Sequence, residues 1–131
     1  MDYERARARA LRSATGNFNR SLAMMRSRDP QAMEDGFALL RDTARQHVQE
    51  LLDAYGQEAD YRTRFLLLEL IGETRSAQAF EVLAAELLND DEMFSSRAER
   101  GLRLLDTREA RRLLWQHRNN RSGFPGPDSM R

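Results

Sequence analysis

Cysteine is absent from this 131-residue chain, and lysine is absent too. Without cysteine there is no disulfide framework, no thiolate nucleophile, and no cysteine-held zinc or iron–sulfur cluster. A chain of this length buries roughly two-thirds of its unfolded surface, so it needs no covalent staple. Long apolar runs are missing as well: none is longer than Phe65 to Leu68, far short of the roughly 20 residues that span a bilayer. The opening Asp2-Tyr3-Glu4-Arg5 does not read as a signal peptide. These absences point to a cytoplasmic protein with no membrane segment.

Glycine and proline number only seven and three, β-branched residues are few, and no stretch alternates apolar with polar residues. Ala, Leu, Arg, Glu and Gln dominate instead, all strong helix formers. The expected fold class is all-α, with five or six helices in antiparallel pairs. One domain is expected over residues 1–118, followed by a flexible tail at 119–131, where Asn-Asn, Ser-Gly and Pro-Gly-Pro cluster.

The helices can be placed from their apolar spacing. Tyr3, Ala6, Ala10, Ala14, Phe18, Leu22 and Met25 mark a first segment over 3–27, with Gly16-Asn17 a point of bending or breakage. Asp29-Pro30 then supplies a cap and a first-turn proline. One long helix is expected over 31–55, with Met33, Phe37, Leu40, Ala44, Val48, Leu51, Leu52 and Tyr55 in a single stripe. Asp60 caps a helix over 61–71 that is apolar nearly all round, and so lies between neighbours. Ser76 caps its partner, which carries Phe80, Leu83, Ala84, Leu87 and Leu88. A helix over 92–105 and a last one opened by Asp106 or Thr107 complete the set.

Two segments match at an offset of 34, which puts Leu68 on Leu102, Leu70 on Leu104 and Ile71 on Leu105. Leu70-Ile71-Gly72-Glu73 through Ala79-Phe80-Glu81-Val82-Leu83, closed by Leu87-Leu88-Asn89-Asp90-Asp91, resembles a HEAT repeat of the small bacterial kind. Arg97 to Asp106 resembles a second. The turn lacks the proline that many such repeats carry. Gly101 also stands within a helix, at about 1 kcal/mol against alanine unless it permits close packing. The resemblance implies a short α-solenoid whose concave surface binds a protein or, less often, a nucleic acid. It implies a non-catalytic adaptor or scaffold, and among small relatives a toxin-neutralising immunity protein.

Charge totals zero but is unevenly spread. Residues 1–28 hold seven Arg against two acids, residues 29–107 eight against seventeen, and residues 108–131 six against two. The acid-rich middle would suit a basic toxin or effector. If the second helix of each pair lines the binding side, that side carries Gln78, Glu81, Ala85, Arg108, Arg111 and Arg112. Trp115, beside Arg108, Arg111, Arg112 and Arg118, has the composition of a binding hot spot; the plainer reading is a cap over the last repeat, shared with Phe124. The partner-binding candidates are therefore Glu81, Arg108, Arg111, Arg112 and Trp115. Arg5, Arg7, Arg9 and Arg12 offer a second route, phosphate contact with nucleic acid, although as read here they wrap around their helix.

No reaction centre is expected. His47 and His117 lack companions at ligand spacing. Asp90-Asp91-Glu92 lacks the spaced oxygens and glycine of a calcium loop and reads as a helix start. No phosphate-cradling glycine loop or nucleophile elbow occurs. The chain is expected to use no metal and no cofactor.

Overall fold

The computed structural model describes residues 2–121, apart from the side chains of Leu11 and Arg121. All regular structure there is helical: α1 (Asp2–Met25), α2 (Pro30–Asp42), α3 (Val48–Gln57), α4 (Tyr61–Glu73), α5 (Phe80–Leu87), α6 (Glu92–Leu105) and α7 (Arg108–Arg121). Single 3-10 turns stand at Ala44–Gln46 and Ala77–Ala79, and no strand occurs among the described residues. Among the described residues the all-α expectation holds, with seven α-helices where five or six were expected.

The extra helix comes from the segment expected to be one long helix over 31–55. Thr43 leaves the helical region at φ −116° and ψ 12°, and its Oγ1 donates to the Leu39 carbonyl at 3.2 Å. A β-branched hydroxyl residue bonding back to its own helix favours such an end. The break is silent in the apolar pattern because Leu40, Ala44, Val48 and Leu51 keep their spacing across it, and all four are buried. The break expected at Gly16-Asn17 does not occur, since α1 runs through it. At the other end α7 continues through residues 119–121, which were expected to open the tail. Residues 122–131, with Phe124 and the Pro-Gly-Pro stretch, lie outside the described residues.

The chain divides into two compact units, Met1–His47 and Val48–Arg131. In the first, α1 packs on α2. Phe18, Leu22 and Met25 of α1 and Leu40 of α2 are buried, and the His47 ring lies 5.2 Å from that of Phe18. The helices meet most closely at Gly36. A Cβ there would fall 2.5 Å from the Met25 nitrogen and 2.6 Å from the Ser21 oxygen. Burial on α1 begins late: of the described side chains from Asp2 to Ser13, only Ala8 is even half-buried.

In the second unit α3 packs on α4, α4 and α5 on α6, and α5 and α6 on α7. Leu51, Leu67, Leu68, Leu70, Ile71, Leu83, Leu87 and Leu102 form a core with almost no exposure. Arg64 closes the end of α3: its Nη1 donates to the Tyr55 and Glu58 carbonyls at 3.0 and 3.1 Å. Its guanidinium also sits 4.2 Å from the centre of the Tyr55 ring. At the crossing of α4 and α6 two glycines face each other, and a Cβ on Gly101 would lie 2.9 Å from the Gly72 Cα. Gly101 thus gives up about 1 kcal/mol of helix propensity for close approach.

Residues 29–121 repeat at an interval of 31 residues. Asp29, Asp60 and Asp91 are N-caps at that spacing, accepting from the backbone nitrogens of Ala32, Thr63 and Met93 at 3.3, 3.0 and 2.9 Å. Buried Leu40, Ile71 and Leu102 recur at the same interval, as do Val48, Ala79 and Ala110. Arg75 and Asp106, with φ of 54° and 52°, hold equivalent turns. The offset of 34 matched leucine-rich strings whose environments differ: Leu70 and Ile71 are fully buried, whereas Leu104 and Leu105 are half-buried.

Left-handed φ at a residue with a Cβ costs about 1–2 kcal/mol. Arg75 is exposed, so Arg75→Gly should stabilise the protein by about 0.5–1 kcal/mol after the greater freedom of unfolded glycine is subtracted. Arg75→Ala should do nothing comparable. Thermal melts of the two variants decide it; a glycine variant that melts no higher than the alanine variant refutes the account.

Candidate partner-binding surface

Helix α7 starts where Thr107 Oγ1 accepts from the Ala110 nitrogen at 3.1 Å. Spacing by three and four then sorts its side chains. Ala110 and Leu114 are buried, and Leu113 and His117 are half-buried. Arg108, Arg111, Arg112, Trp115 and Arg118 are exposed, Trp115 at 61%. Arg111 is held in place, because its Nη1 donates to the Asp106 carbonyl at 2.7 Å and to Asp106 Oδ1 at 3.2 Å. A guanidinium fixed in this way loses less side-chain entropy when a second anion binds.

Four of the five residues expected to bind a partner therefore share the outer side of one helix. The fifth does not join them. Glu81 stands exposed in the first turn of α5, and among the described residues it forms no ion pair with Arg108, Arg111 or Arg112. The cap shared by Trp115 and Phe124 cannot be placed, since Phe124 lies outside the described residues.

Much of the acidic middle is engaged locally. Asp29, Asp60 and Asp91 cap helices. Glu69 pairs with Arg97 at 2.8 Å, Glu99 with Arg103 at 3.1 Å, and Asp106 with Arg111 at 3.2 Å. The Tyr61 hydroxyl donates to Asp91 Oδ2 at 2.7 Å. That bond holds the Asp91 carboxyl below its usual range and lifts the Tyr61 phenol above its own. In the run Asp90-Asp91-Glu92, Asp91 is thus a helix cap.

The sequence reading missed an apolar margin beside α7. Leu88, expected among the apolar residues of the helix that follows Ser76, is 74% exposed while Leu87 is buried; α5 ends at Leu87 and turns Leu88 outward. Met93 is 55% exposed in the first turn of α6. Two shallow hollows share Glu92 and Ser96. One reaches Leu88 and His117, the other Phe65, Met93 and Arg97. Below the second, Phe94 meets Tyr61 and Phe65 edge to face at 5.3 and 5.8 Å, and Arg97 lies 4.8 Å over Phe65. The adjacent pair Leu87-Leu88 carried a signal, since a helix that packs on one side only takes one of two neighbours inward, unlike α4, where Leu67 and Leu68 are both buried.

Among the described residues of this unit, two buried polar atoms, Tyr55 OH and His117 Nε2, have no hydrogen-bond partner. Burial pushes the Tyr55 phenol up to about 12, with the Glu86 carboxylate adding to the shift and Arg64 opposing it. Among the described residues no three His, Asp or Glu side chains group as metal ligands, and no helix is long and apolar enough to cross a membrane.

On α1, the expectation that the arginines wrap around the helix holds only through Arg7. At 3.6 residues per turn, Arg5, Arg9 and Arg12 fall within an arc of about 60°, and only Arg7 points elsewhere. All four are exposed. Comparison with protein-family models, with curated proteins and with solved structures finds no match.

Proposed function

We propose that this chain is a non-catalytic binding module for another protein, gripping it through the outer side of α7. One observation carries the reading: a tryptophan 61% exposed among four exposed arginines, on a helix whose other side is well buried. Tryptophan and arginine dominate interface energetics because one buries a large apolar area and the other forms bidentate bonds. Exposed Leu88 and Met93 on the same unit add apolar area.

A short HEAT-like α-solenoid is the architecture we infer for it. The gap-free recurrence over 29–121 supports this, as does the packing of α4 on α6 and α5 on α7, each helix meeting the one two places on. Within this reading the partner is a toxin or effector neutralised in the cytoplasm. The absence of cysteine is compatible with a reducing compartment, and exposed Glu81, unpaired among the described residues, suits a basic patch on the partner.

Trp115 is the chain's single tryptophan, so its emission reports on this surface alone. The tagged chain is used to capture a partner from the native host, and the purified partner is then titrated back. Trp115 emission should shift to the blue, and Trp115→Ala should weaken affinity about 30-fold, the equivalent of roughly 2 kcal/mol. Leu39→Ala, at an exposed position of the first unit, should leave affinity unchanged. Unaltered emission together with full affinity in Trp115→Ala would sink the proposal.

A further inference from the structure

We infer that the N-terminal half of α1 is a nucleic-acid-binding arm that lays Arg5, Arg9 and Arg12 along a phosphate backbone. This inference stands independently of the α7 surface. The helix is continuous from Asp2 to Met25, so residues spaced by four and three align on one side and rise about 10 Å along the axis. Every described side chain over this half is exposed except half-buried Ala8. None of Arg5, Arg7, Arg9 and Arg12 forms an ion pair among the described residues. Three guanidiniums that hold no anion of their own are thus carried on a segment that supports no core.

The chemistry of the ridge favours a polyanion over an acidic protein. A protein interface needs a desolvated apolar centre, and charged groups are depleted there. Tyr3 is the large apolar residue seen exposed on this half, and it lies about 160° around the helix from the ridge, with Ala6 and Ala10 on its side. The ridge itself offers charge alone. Duplex nucleic acid presents one negative charge per roughly 1.7 Å of axis, and its binding is driven by release of the counterions those charges hold. Guanidinium forks suit phosphate oxygens.

The test is fluorescence anisotropy of the full chain against a labelled DNA duplex of about 20 base pairs across about 50 to 200 mM salt. Three phosphate contacts predict a slope of about −2.7 in log K against log salt, a loss of roughly 40-fold over that range. The triple variant R5Q/R9Q/R12Q should flatten the slope, R9Q alone should reduce it by about 0.9, and R7Q should leave it unchanged. Glutamine keeps helix propensity, and coincident thermal melts establish that each variant is folded. The inference is overturned by absence of binding at the lowest salt, by an R7Q effect equal to that of R9Q, or by binding that survives the triple variant and is lost in R108Q/R111Q/R112Q. It is overturned equally if polyglutamate competes as well as DNA at matched charge, which would assign the ridge to an acidic protein.

Discussion

Gly36→Ala is expected to destabilise the Met1–His47 unit by about 3 kcal/mol, at the upper end of what overpacking costs. The added methyl would meet the Met25 nitrogen at 2.5 Å, the Ser21 oxygen at 2.6 Å and the Met24 Cβ at 2.8 Å. Two of these are main-chain atoms inside α1, fixed by the helix itself. A flexible side-chain tip could swing away; these cannot, so α1 and α2 must separate along the line that buries Phe18, Leu22 and Leu40. Gly16→Ala is the matched control. Nothing lies within 4 Å of its Cβ position, and in a helix interior the change should stabilise by about 1 kcal/mol. Urea unfolding followed by circular dichroism should place the two variants on opposite sides of the parent. Equal midpoints would mean the crossing at Gly36 has slack.

The second large effect belongs to the crossing of α4 and α6. Gly101→Ala puts a methyl 2.9 Å from the Gly72 Cα and 2.9 Å from Leu83 Cδ2. Leu83 can change rotamer, but it is 1% exposed in a filled core, and the Gly72 main chain has nowhere to go. A loss of about 2 kcal/mol is expected, with an unchanged denaturant slope. Gly72→Ala is milder, since its Cβ would stand 3.1 Å from the Gly101 Cα, and about 1 kcal/mol is expected. The double variant should lose more than the sum, because each methyl takes the space the other would use to relax. Strict additivity would show that the two glycines do not share one contact.

Both glycines show how far the chain could be read from its letters. Helix starts were legible because their chemistry is local: Asp29 before Pro30, Asp60, Ser76 and Asp91 each place an oxygen on nearby backbone nitrogens. The core was legible from apolar spacing, and α4 was rightly read as covered on several sides. What failed depended on geometry that spacing leaves unchanged. A 3-10 turn at Ala44–Gln46 broke a helix without breaking its stripe. The repeat was drawn at 34 because leucines match leucines, whereas the caps and the left-handed turns recur at 31. For the surface, α7 gathered Arg108, Arg111, Arg112 and Trp115 because residues three and four apart share a helix side. Glu81 sits on a different helix, and no rule of spacing could have joined it to them. The ridge on α1 was legible in the spacing of Arg5, Arg9 and Arg12 by four and three, and counting Arg7 with them concealed it.

The 31-residue recurrence also bears on how the chain can change length. Caps and buried apolar residues return three times and the left-handed turn twice, at Arg75 and Asp106, so one whole period, such as 60–90, carries a complete set of beginnings and endings. Gain or loss of a full period would keep each cap in register with the turn that follows it. Gain or loss of three or four residues inside a helix would slide Gly72 about one turn, roughly 5 Å, along the axis from Gly101 and bring a side chain to the point where a bare backbone is required. Length in this chain is therefore expected to change by whole periods and not by single turns.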